Sequence, residues 1–167
     1  MSEPARPVRL AEHFASSDRF RALFASGMDL VEETACYLDG EGRGEAKAMD
    51  RKLSALYGTE SMRLTTRLMQ LASWLLLQRS VLDGEMSREE AMAEKGKVKI
   101  SEVAALRTPD FERLPESFRS LVERADTLQR RVLQLDGEIY SERDEGDVEA
   151  ANPVQEQVNL LRQVFDR

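Results

Sequence analysis

Apolar residues recur along this chain at three- and four-residue spacing in three long runs, and the densest lies between Asp50 and Leu82. At roughly 100° of turn per residue, Tyr57, Leu64, Leu68, Leu71, Leu75 and Leu82 fall on one stripe of a helix. A second row, Met62, Met69, Ala72 and Leu76, lies about a third of a turn away, so this helix is expected to bury two faces and to need two neighbours. The third side carries Arg63, Arg67, Gln70 and Trp74. A soluble bundle normally gives that side to water, and a tryptophan there needs something to cover it.

The first run, Phe20, Leu23, Phe24, Gly27, Leu30, Val31, Thr34 and Leu38, predicts a helix over 17–38, opened by Ser16 or Ser17 with Asp18 in its first turn and stopped by Asp39-Gly40. Residues 1–15 contain Pro4 and Pro7 and lack a helical repeat, which predicts a loose arm. The third run, Phe118, Leu121, Ala125, Leu128, Val132, Leu135 and Ile139, is an unbroken heptad seam behind Pro115. It suits a long helix packed on the middle one, and equally a coiled coil with a second copy.

Between these runs, Gly40, Gly42 and Gly44 predict a flexible link; the pattern lacks the strand and Lys-Ser/Thr of a phosphate loop. Gly58, which costs about 1 kcal/mol against alanine in a helix interior, is expected to mark a close helix crossing. Asp83-Gly84 ends the middle helix, and Ser87-Arg88-Glu89-Glu90 is a capping box that starts a short helix reaching about Lys97. From there to Leu114, Thr108-Pro109 and Leu114-Pro115 predict short turns.

The expected fold is therefore all-α: an antiparallel three-helix bundle over 16–140 with a short capping-box helix in the second connector and a flexible acidic C-terminal tail over 141–167. Between Asp136 and Glu149 seven carboxylates face one arginine, which holds most of the formal charge of −7. That segment lacks the apolar groups needed to offset chain entropy and reads as a tether. Behind it, Val154, Val158, Leu161 and Phe165 share one side of a last short helix that needs a surface to hold it.

Composition narrows the function. With 33% charged and 41% apolar residues, the 167-residue chain fits one domain. A single cysteine, Cys36, and a start without an apolar leader point to the cytoplasm. No run approaches the roughly 20 apolar residues of a membrane span. Without a basic stripe, direct nucleic-acid binding is not expected. His13 stands without companion ligands, Cys36 without a histidine, and the acidic segment without calcium-loop spacing, so no metal, cofactor or catalytic residue is assigned. The candidate partner-binding residues are Arg63, Arg67, Gln70 and Trp74 on the middle helix and Val154, Val158, Leu161 and Phe165 at the end. Tryptophan and arginine are enriched where binding energy concentrates. The alternatives are a solvated face whose tryptophan lies under the connector 98–114, and an ordinary packed C-terminal helix.

The strings VEETACYLDG, ESMRLTTRLMQLASWLLLQRSV, GEMSREEA and LPESFRSLVERADTLQRRVLQLD resemble the alphaproteobacterial family of the regulator of CtrA degradation, RcdA. The likeness covers most of Ser17 to Asp136. It implies a three-helix bundle, commonly a homodimer, without catalytic activity. Such a protein would act as an adaptor that helps bring CtrA-like response regulators to the ClpXP protease alongside other adaptors. A structural or regulatory oligomerisation module, paired through the seam of the third helix, is the competing expectation.

Overall fold

The computed structural model describes residues 7–98, 100 and 108–150, with side chains over 17–98, 100 and 108–140. It is all-α, with no strand among the described residues. The elements are α1 (Pro7–Asp39), α2 (Glu41–Lys47), α3 (Arg51–Leu82), α4 (Arg88–Lys95), a 3-10 turn (Pro109–Arg113) and α5 (Glu116–Ala150). Two compact units divide the chain after Arg130.

Two helix ends lie beyond their expected positions. α1 begins at Pro7, so residues 7–15 of the expected arm are helical, consistent with the tolerance of proline in a first turn. α5 runs through 141–150, where a tether was expected. Acidic residues do not oppose helix as such; glutamate is a good helix former, and the preceding turns supply the nucleus. The expected final helix and its residues Val154, Val158, Leu161 and Phe165 lie outside the described residues.

Caps fix the starts of α3 and α4. The Leu53 N–H donates to the Asp50 carboxylate at 2.8 Å. At Ser87 the capping box is complete: the Glu90 N–H donates to Ser87 Oγ at 3.1 Å, and the Ser87 N–H donates to Glu90 Oε2 at 2.9 Å. Gly84 ends α3 at a φ of 75°, a conformation that favours glycine.

In the unit ending at Arg130, α1, α3 and the first half of α5 share a core. At one end Phe118 lies 5.0 Å from the Tyr57 ring and 6.3 Å from Tyr37; further along, Arg67 pairs with Asp126 and Glu33 with Arg124. Near the other end Phe20 lies 6.4 Å from Trp74. Numbers thus rise together along α3 and α5 and oppositely along α1. α1 is antiparallel to both, and α5 is parallel to α3. An up-down-up bundle would have made α5 antiparallel to α3. The difference lies in residues 83–115, which are long enough to carry the chain back along α3 before α5 begins, whereas only a short loop enforces an antiparallel neighbour.

The seam of the third run is core: Phe118, Leu121, Ala125 and Leu128 are buried, the first against Tyr57 and Tyr37. It is occupied by this chain's own helices and is not open for a coiled coil with another copy. In the unit from Arg131 onward, Val132 and Leu135 are buried as well.

The glycines divide differently from expectation. Gly42 is not in a flexible link but inside α2, where an added Cβ would stand 2.8 Å from Tyr37 Cε1 and 2.9 Å from the Tyr37 carbonyl oxygen. Gly27 marks a close helix crossing, since its Cβ would come within 2.6 Å of Leu75 Cδ1. Gly58 has nothing within 4 Å of such an atom and marks no crossing.

Candidate protein-binding surface

The site follows from how α3 is oriented. Its core stripe holds as expected through Tyr57, Leu64, Leu68, Leu71 and Leu75, while Leu82 emerges at the end. The other two sides are exchanged. Trp74, expected at an outward edge, is 0% exposed and packs beside Phe20. Arg67 is held by Asp126 of α5, Arg63 donates to the buried Glu60 at 3.1 Å, Gln70 is half-buried and Gln78 is buried. Around Arg67 and Trp74 this side is a seam between helices, with Arg63 exposed at its edge. The physical reason is the placement of α5, whose Asp126 supplies a partner for Arg67, a polar group that would otherwise go unsatisfied.

The row expected to be buried is the one left open. Met62 is 74% exposed, Met69 66% and Leu76 51%. Around them on the side away from the core stand Ala55, Gly58, Thr59, Thr66 and Ser73, all exposed, so this side carries no charged residue from Ala55 to Ser80. The outer side of a surface helix is normally charged. Large exposed apolar residues that adjoin one another mark contact surfaces, and methionine adapts its unbranched chain to what it meets.

At its C-terminal end this face runs into a groove of about 290 Å3 between α3 and the segment carrying α4. Ser73, Leu76, Leu77 and Ser80 form one wall, and Glu94, Lys97 and Val98 the other. Lys97 pairs with Glu94 at 2.7 Å across the rim. Buried Ala91 anchors α4, and Met92, 46% exposed, adds a further apolar group on that helix. The groove can take an apolar side chain; it has no constellation for bond chemistry.

Titration is perturbed away from this face. Burial, and then its hydrogen bond to Glu45 at 2.7 Å, pushes the Tyr37 phenol far above its usual range. Burial also raises Tyr57. The Leu53 N–H and then Arg113 hold the Asp50 carboxyl below the usual range, and Lys52 does so for Asp110. Cys36 is exposed. Among the described residues no group of His, Cys, Asp and Glu is placed to hold a metal ion, and no helix is long and apolar enough to cross a membrane.

Sequence periodicity missed the open face because a helical wheel shows which residues share a side but not which side a neighbouring helix covers, and Arg63 and Arg67 made the Trp74 side read as the solvated one. The signal that was present is the interleaving of Gly58, Thr59, Thr66 and Ser73 with the methionines. Small polar residues fit a surface better than a second core.

Comparison with known proteins agrees with this architecture. A family model described as "Protein of unknown function (DUF1465)" matches residues 11–165. Among solved structures, the crystal structure of RcdA from Caulobacter crescentus CB15 is 47% identical, with a TM-score of 0.61 over 73% of this chain and 91% of that one. No curated protein matches the chain.

Proposed function

This chain belongs to the DUF1465 family and is RcdA-like, and from that premise we propose that it is a non-catalytic adaptor in regulated proteolysis. It holds a CtrA-like response regulator and the ClpXP machinery, with other adaptors, on one body in the cytoplasm, and it acts as a homodimer. The mechanism is proximity: contacts too weak to act singly become effective when one molecule carries both, because the second binding event is then intramolecular.

The observation that supports a binding role is the uncharged side of α3 with its exposed Met62, Met69 and Leu76. On that support the docking surface is proposed on the side opposite Arg63, Arg67, Gln70 and Trp74. Val154, Val158, Leu161 and Phe165 remain in the proposal as a second attachment, on the strength of their helical spacing.

A reconstituted degradation reaction tests this reading. ClpXP, a CtrA-like substrate and its companion adaptors are combined with and without the full chain. Faster loss of substrate while this chain is not consumed is the expected result; an unchanged rate with every adaptor combination overturns it.

A further inference from the structure

Between α1 and α3 the chain runs through α2, a helix of seven residues that has little of its own to hold it. So short a helix does not persist in water by itself, glycine at 42 and 44 lowers its propensity further, and Gly40 at its N-cap offers no side chain to the free N–H groups. Its one fully buried residue is Gly42, which has no side chain to bury. What α2 covers is different: Gly42 sits against Tyr37 and Tyr57, both buried and both packed on the fully buried Phe118.

The contacts between this cover and the rings pull in opposite directions. The Tyr37 hydroxyl donates to Glu45 Oε2 at 2.7 Å, a charge-assisted bond that fastens α2 to α1. Burial, and then that bond, push the phenol far above its usual range, so it stays a donor. The Tyr57 hydroxyl lies beneath Gly42, where an added Cβ would run into it, and it finds no hydrogen-bond partner among the described residues. A buried hydroxyl without a partner costs free energy that is regained once water reaches it. One phenol thus latches α2 and the other favours its release.

We propose that α2 is a lid over the aromatic end of the bundle, which opens as a unit while α1 and α3 stay folded and uncovers the Tyr37 and Tyr57 hydroxyls. Both hinges suit this. Gly40 permits a change of direction after α1. On the other side Asp50 caps α3 and pairs with Arg113 at 2.9 Å, so release of 41–47 stops there. Closed, this end of the bundle is sealed by a glycine-bearing helix; open, it presents two aromatic rings with hydroxyl donors beside them. The lid acts on the core side of α3 rather than on the Met62, Met69 and Leu76 side, and it is independent of the adaptor reading.

Amide hydrogen exchange of the full chain, followed by mass spectrometry, tests the lid. Amides of 43–48 should exchange about 100-fold or more faster than those of 64–75, because they open without global unfolding. Tyr37→Phe, which removes the latch, should speed exchange in 43–48 by about 5-fold, and Tyr57→Phe, which removes the hydroxyl that lacks a partner, should slow it by about 5-fold. Gly44→Ala, whose Cβ would meet nothing within 4 Å, should also slow it by about 5-fold, because it strengthens α2 without touching a neighbour.

The opposite signs of the two phenylalanine substitutions carry the test, since hydroxyls with a merely structural role would speed exchange in both cases when lost. Amides of 43–48 that exchange as slowly as those of 64–75 overturn the lid. So does any of the three substitutions that leaves exchange in 43–48 unchanged or moves it the other way.

Discussion

The two flanks of α3 have similar apolar content and opposite fates. On one, Trp74 is sealed against Phe20 and the polar groups between apolar positions are engaged, Arg67 by Asp126 and Glu60 by Arg63. On the other, Met62, Met69 and Leu76 face outward among threonines, serines and a glycine. Burial of charged and amide groups is tolerated only where a neighbour completes their hydrogen bonds, and α5 brings such a neighbour to one side alone. The lesson is that polar residues can mark the inner side of a helix and methionines the outer.

The largest expected effect contrasts these flanks directly. Trp74→Ala removes a fully enclosed indole and should cost about 3–5 kcal/mol in urea unfolding. Met69→Ala, on the open side, should change stability by no more than about 0.5 kcal/mol. Comparable losses for the two would mean that the flanks are not distinct.

A second pair uses glycine. Gly42→Ala forces a Cβ against Tyr37, including its main-chain oxygen, and should destabilise by about 1–3 kcal/mol. Gly58→Ala meets open space and should stabilise α3 by about 0.5–1 kcal/mol. The opposite signs, read from Tm at a concentration where the chain is monomeric, sharpen the contrast between packed and open positions.

The smallest effect concerns the polar clasp where α3 begins. Asp50 caps α3 and pairs with Arg113 at 2.9 Å, and its folded pKa lies below the ordinary value of about 3.9. A depressed carboxylate pKa contributes stability that is full above the unfolded value and is lost as pH falls through the folded one. Tm should therefore decline below about pH 4, and Asp50→Asn should show a shallower decline over the same range.

Much of the architecture could be read from spacing and capping. The capping box at Ser87, the stop at Gly84, the proline-started segments at 109 and 115 and the core stripe of α3 are local features, written in residues a few positions apart. The reach of α1 back to Pro7 and of α5 through 150 was harder, because helix propagation from a stable turn costs little even where apolar residues thin out. The candidate surface was legible only in part: the methionine row was visible, but its side was assigned inward.

By itself the sequence determined the all-α class, the positions of the three long helical runs, the caps that start α3 and α4, and the RcdA-like kinship. Only the tertiary structure decided that α5 runs parallel to α3, that Trp74 is core, and that Met62, Met69 and Leu76 face out. The reason is physical. A helical repeat records which residues share a side, but which of two apolar sides is covered depends on where the next helix lies, and α5 follows a turn, Pro109–Arg113, that is paired to the start of α3 through Lys52–Asp110 and Asp50–Arg113.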